Sequence, residues 1–119
     1  MFDVILERIV NQCPGAVGAL IMGFDGIGIE EFVVAETELD LTLVGIEYSN
    51  IIKEIRNASE ILKIGSLQEV SIKSEKFFVI IQALTDEYFV ALVINRTGNF
   101  GKGRYLLLRE SFELQKELS

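Results

Sequence analysis

The sequence predicts an α/β domain of the α+β type. It is an antiparallel five-stranded sheet with a long central helix on one face and terminal helices on the other, in the order α-β-β-α-β-β-β-α. Three observations predict it. Five apolar runs of strand length are present, and all but the central pair are joined by short polar turns that force antiparallel neighbours. Three other segments repeat apolar side chains at steps of three and four, the spacing of one helix face. The chain has 119 residues, 50% of them hydrophobic, and contains a single proline. That is enough for one continuous core and one domain over residues 1–119.

The first helix spans residues 2–13, where Phe2, Ile5, Leu6, Ile9, Val10 and Cys13 share a face, and Pro14-Gly15 stops it. Residues 16–24 (AVGALIMGF) and 27–34 (IGIEEFVV) are strands around Asp25-Gly26, a dipeptide that tolerates the positive φ of a tight hairpin. Thr37 followed by Asp40 fits a helix-start signature and opens a long helix that runs to about Ile64 and ends at Gly65. Residues 67–73, 76–84 and 88–95 form a three-stranded meander. The last two runs are apolar at nearly every position and should be covered on both faces, whereas LQEVSIK alternates and is the better edge strand. Residues 95–103 read as a loop, and residues 104–118 as a closing helix with Leu107, Leu108, Phe112, Leu114 and Leu118 directed inward.

The central helix has two apolar faces. Leu41, Val44, Tyr48, Ile51, Ile52, Ile55, Ala58 and Leu62 make a stripe broad enough to pack on a sheet. Leu43, Ile46, Ile61 and Ile64 point to roughly the opposite side, with Asn50, Lys53, Glu54 and Asn57 between them. Apolar side chains rimmed by polar ones mark a protein contact, and beside an exposed edge strand they suggest an isologous dimer seam. The blander reading is a set of scattered surface aliphatics, which are common.

Several chemistries are disfavoured. A net charge of −7 argues against nucleic acid and anionic membranes. No apolar run reaches the ~18 residues of a membrane span, and the N-terminus has no basic leader, so a cytoplasmic location is expected. Histidine is absent, which removes the commonest general base and metal ligand. The lone Cys13 sits on an apolar helix face, as a buried inert thiol would. The segment Gly98-Asn99-Phe100-Gly101-Lys102-Gly103 has neither the glycine spacing nor the Ser or Thr of a phosphate loop. The pairs Glu30-Glu31 and Asp86-Glu87 alternate across a strand and read as solubilising. No catalytic, cofactor or metal residues are expected.

The order of elements, with Gly23-Phe24-Asp25-Gly26 at the first turn, VGALIMGFDGIGI over residues 17–29, the long helix over 38–64 and YFVALVIN with its following loop and helix, resembles the roadblock family of dynein light chains. The likeness covers nearly the whole chain, and the terminal helices resemble the longer bacterial members of the MglB type. It implies a homodimer in which edge strands join two sheets and the long helices form a platform for a small Ras-like GTPase, whose GTP hydrolysis MglB-type members stimulate. On that implication Leu43, Ile46, Asn50, Lys53, Glu54, Asn57, Ile61 and Ile64 are the dimer or partner interface, and Glu69, Val70, Ser71 and Ile72 the edge strand of the dimer. The alternative is a small-molecule sensory or general protein-interaction domain with a similar sheet. A sensor needs converging polar groups in a pocket, and Gln82 and Thr85 are the only polar side chains near the meander core.

Overall fold

Apolar runs that alternate between two covered faces need a layer of helix on each side, and the chain supplies both. The computed structural model describes residues 1–34 and 37–119. Its elements are α1 (Phe2–Gln12), β1 (Ala16–Gly23), β2 (Gly28–Val33), α2 (Leu41–Leu62), β3 (Glu69–Lys73), β4 (Phe77–Ala83), β5 (Tyr88–Asn95) and α3 (Phe100–Leu118). The strands form one antiparallel sheet in the order β2-β1-β5-β4-β3.

α1 and α3 cover one face, where Leu6, Ile9, Leu106, Leu107 and Leu114 pack with Ile21, Ile80, Leu92 and Ile94. α2 covers the other, with Leu41 and Ile52 against Leu20, Met22, Val79, Ile81, Phe89 and Val93. Each such side chain contributes roughly 1.5–3 kcal/mol by leaving water, before ordering entropy is subtracted. β1, β4 and β5 are the inner strands, and their near-continuous apolar sequences follow from burial on both sides. β3 is an edge, as expected from LQEVSIK, and β2 is the other.

The first hairpin closes through Gly23 N–H to Ile27 O at 2.8 Å. Gly26 takes φ +88° in its turn, and Asp25 Oδ1 accepts from Ile27 N–H at 3.0 Å. The two later helices start elsewhere than the sequence suggested. α2 begins at Leu41 and not near residue 38, because Asp40 is itself the cap and accepts from Leu43 N–H at 3.1 Å. Thr37 Oγ1 accepts from Leu39 N–H instead, in a local turn. α3 begins four residues before the expected Arg104, with Asn99 Oδ1 capping Lys102 N–H at 2.9 Å. Its glycines are not a loop signal. Gly103 is buried where a Cβ would stand 2.5 Å from Ile94 Cδ1, so the missing side chain lets α3 approach β5.

Candidate interaction surface

The sequence places a second apolar face on α2, and the structure fixes what surrounds it. Asp40 starts the helix, and Lys63 ends it in the left-handed region at φ 56°. One flank leans over β2, where Thr42 Oγ1 donates to Glu31 Oε1 at 3.0 Å. Farther along that flank the Arg56 guanidinium stacks 4.1 Å from the Phe24 ring centroid and donates to Asp86 O. The opposite flank carries Tyr48, Ile51, Ile55 and Leu62 and faces the β4–β3 half of the sheet by helical geometry.

The core stripe is narrower than predicted. Ile51 and Leu62 are 52% and 66% exposed, and Ala58 is exposed as well, while the residues buried with Leu41 and Ile52 are Gly45 and Ser49. At Gly45 a Cβ would meet Met22 Cε at 2.7 Å, so α2 sits close to β1 on the side of its glycine and the wider apolar stripe rolls into solvent. Ser49 satisfies its buried hydroxyl by donating to Ile46 O at 2.7 Å. A helical wheel weighted by side-chain hydrophobicity could not find this, because a glycine and a serine carry no apolar signal.

Leu43, Ile46, Ile61 and Ile64 are exposed at 54%, 41%, 71% and 72%, and Asn50, Lys53, Glu54 and Asn57 are exposed between them. They do not converge on one spot. Leu43 and Ile46 lie in the first two turns, Ile61 in the last, and Ile64 beyond the helix, so the set is two apolar ends around a polar middle. On β3, Val70 and Ile72 are half-buried on the α2 side, while Ser71 is exposed on the other. Glu69, also on that other side, is held by Arg104 Nε of α3 at 2.8 Å.

All five arginines are engaged within the chain. Arg8 and Arg109 bind Glu110, Arg104 binds Glu69, Arg56 packs on Phe24, and Arg96 lies over the Phe78 ring while donating to Ser74 O. Cys13 is buried, and desolvation raises its thiol above the ordinary range. No group of three or more His, Cys, Asp or Glu suited to a metal occurs among the described residues. None of the described helices is long and apolar enough to cross a membrane. Gln82 is buried with its Oε1 unpartnered, on the same side of β4 as Phe78 and Ile80.

No family model and no curated protein sequence matches the chain. Among solved structures it is similar to MglC from Myxococcus xanthus, with 42% identity over 98% of both chains and a TM-score of 0.72. It is also similar to the gliding protein MglB from Thermus thermophilus, with 17% identity over 96% of this chain and 85% of that one and a TM-score of 0.84. A Roadblock/LC7 domain from Streptomyces avermitilis covers 98% of this chain, which covers 96% of that domain, at 13% identity and a TM-score of 0.84. The last two likenesses carry the fold, and the first carries sequence as well. The chain belongs to the roadblock family, among its MglB- and MglC-like members.

Proposed function

We propose that residues 1–119 form one roadblock domain that acts without catalysis, as a cytoplasmic homodimeric scaffold binding a small Ras-like GTPase and regulating its GTP hydrolysis. The observation that carries this reading is the pairing of an edge strand with a helix that leaves five large aliphatic side chains in solvent, Leu43, Ile46, Ile51, Ile61 and Leu62, with Ile64 exposed just past its end. A monomer has no use for them, and burying them against a second copy and a partner relieves their hydration. In this reading two β3 strands pair through Glu69, Val70, Ser71 and Ile72, the α2 flanks bearing Ile51 and Leu62 meet across the seam, and the outer ends of α2 receive the GTPase. Kinship with MglC and likeness to MglB support the choice of partner.

The test is calorimetric titration of the protein with small Ras-like GTPases of the same genome, loaded with GDP or a non-hydrolysable GTP analogue. Binding to one loaded state, with single-turnover hydrolysis changed at saturation, is the expected result. Failure of every such GTPase to bind in either state would refute the partner while leaving the dimer standing.

A further inference from the structure

β3 ends the sheet, and its five residues carry opposite charges at their two ends, Glu69 and Lys73. Ala83 N–H donates to Gln68 O and Ser74 N–H to Phe77 O, both at 2.9 Å. Hydrogen bonding alternates along an antiparallel pair, so Val70 and Ile72 turn their backbone groups to β4, and Glu69, Ser71 and Lys73 turn theirs to the open edge. The side chains of these three share the sheet face of Phe78 and Ile80, which α3 covers. α3 packs there through Gly103 and Glu110, which leaves Leu108 and Phe112, expected to point inward, 52% and 66% exposed.

Glu69 is fixed by Arg104 and accepts from Ser71 Oγ at 3.1 Å. Lys73 lies 5.9 Å and 5.4 Å from the Phe78 and Phe100 ring centroids and, among the described residues, pairs with no carboxylate. The other edge, β2, is poorly suited to pairing. Its ladder with β1 slips between Ile21 and Met22, and Glu30 Oε1 accepts from Glu31 N–H at 3.2 Å. Its two exposed charges, Glu30 and Glu31, are of one sign.

A second copy of β3 related by a twofold axis fits this edge best in one register. A one-residue shift would set the α2 side of one copy against the α3 side of the other, so only two-residue steps remain. Centred on Ser71, Glu69 of each strand stands opposite Lys73 of the other and Val70 opposite Ile72. The outward amides and carbonyls of Glu69, Ser71 and Lys73 then all pair across the seam. Centred on Val70, Lys73 meets Leu67; centred on Ile72, Glu69 meets Glu75, a like charge. Shifts of four residues oppose Glu69 to itself or Lys73 to itself.

We propose that Glu69 and Lys73 set the register of a β3–β3 seam centred on Ser71 and make that seam selective for a second copy of this chain. The pairing rests on the homodimer proposed above, and the two charges restrict its partner: a strand without an acid four residues before a base leaves Lys73 unpaired or against a like charge.

The test is a cysteine scan of the full chain under oxidised glutathione, with Cys13 buried and the parent as control. Ser71→Cys should cross-link to a dimer, because directly opposite residues bring their Cα atoms to about 5.5 Å. Val70→Cys and Ile72→Cys should not, since each is offset from its own copy by about 7 Å along the strand. Lys73→Glu and Glu69→Lys, both checked for fold by thermal melt, should each weaken association about ten- to a hundredfold in sedimentation, and mixing the two should restore it. Cross-linking at position 70 or 72 in place of 71, or no recovery on mixing folded variants, overturns the register and leaves the dimer standing. A monomeric parent overturns both. Masses that grow past two chains overturn the seam by pairing β3 with β2 of the next copy.

Discussion

Arg8 of α1 grips Glu110 of α3 with two hydrogen bonds, Nη2 to Oε1 at 2.6 Å and Nε to Oε2 at 3.1 Å. Arg109 adds a third from the adjoining position on α3, so a carboxylate buried under two helices is charge-neutralised from both. Hydrogen bonding from Arg8 holds the Glu110 carboxyl below its ordinary value, against burial, which pushes it up.

A carboxylate whose pKa is lower folded than unfolded contributes stability that is complete above the unfolded value, 4.5, and is lost as pH falls through the folded one. Arg8→Met is therefore expected to cost about 1–2 kcal/mol near neutral pH in urea unfolding, by leaving Glu110 with Arg109 alone. The gap between variant and parent should narrow in acid, where the parent loses what the variant already lacks. A gap that is constant with pH would mean that Arg8 acts through packing and not through charge.

Two glycines three residues apart should respond oppositely to alanine. At Gly98 a Cβ would stand 2.6 Å from Pro14 O and 2.9 Å from Gly15 Cα, backbone that cannot retreat, so Gly98→Ala should cost on the order of 1–3 kcal/mol. Gly101, in the first turn of α3, has only Asn99 Oδ1 at 3.8 Å. Gly101→Ala should gain up to about 1 kcal/mol of helix propensity. Thermal melts of the two variants check the pair, and equal signs would show that the close approach of the two loops is misread.

The dimer predicts a light-scattering mass twice that of the monomer at tens of micromolar protein, on the order of many weak dimer dissociation constants. Ile51→Glu, on the flank toward β3, should shift the mass to the monomer, since a buried unpaired charge costs about several kcal/mol. Leu43→Glu and Ile61→Glu should weaken either the dimer or the GTPase complex. If both assemblies survive those two changes, the outer face of α2 is not an interface.

If the protein accelerates GTP hydrolysis, it should do so without inserting an arginine into the partner's site. Arg8, Arg56, Arg96, Arg104 and Arg109 all have partners within the chain. An arginine finger supplies ~10³–10⁵ in rate, whereas a peripheral charge is worth about 1 kcal/mol or less. Each Arg→Ala variant, checked for fold and mass, should retain single-turnover stimulation within about tenfold. A thousandfold loss in one of them with binding intact would identify that arginine as a finger.

Part of the layering was legible in the sequence: KFFVIIQAL and YFVALVIN are apolar at nearly every position, as strands covered on both faces are, and LQEVSIK alternates, as an edge strand does, whereas the strand order came only with the structure. What else was not legible turned on small residues. Gly45, Ser49 and Gly103 carry no hydrophobic signal, yet they set the roll of α2 and α3 against the sheet, and with it whether Ile51, Leu62, Leu108 and Phe112 face the core or solvent. Cap choice was the other gap. Thr37, Asp40 and Asn99 are all competent caps, and only the path of the backbone selects Asp40 and Asn99.

The contacts of Arg8 with Glu110 and of Gln12 with Arg109 run in opposite directions along their helices, so α1 and α3 are antiparallel, and Phe2 and Leu118 pack on the same core. Covalent order is therefore nearly interchangeable at this corner: a short linker from Ser119 to Met1 should allow the chain to be reopened at the exposed Ser74-Glu75 turn. Such a circular permutant would keep every layer of the sandwich while its new ends emerge between β3 and β4.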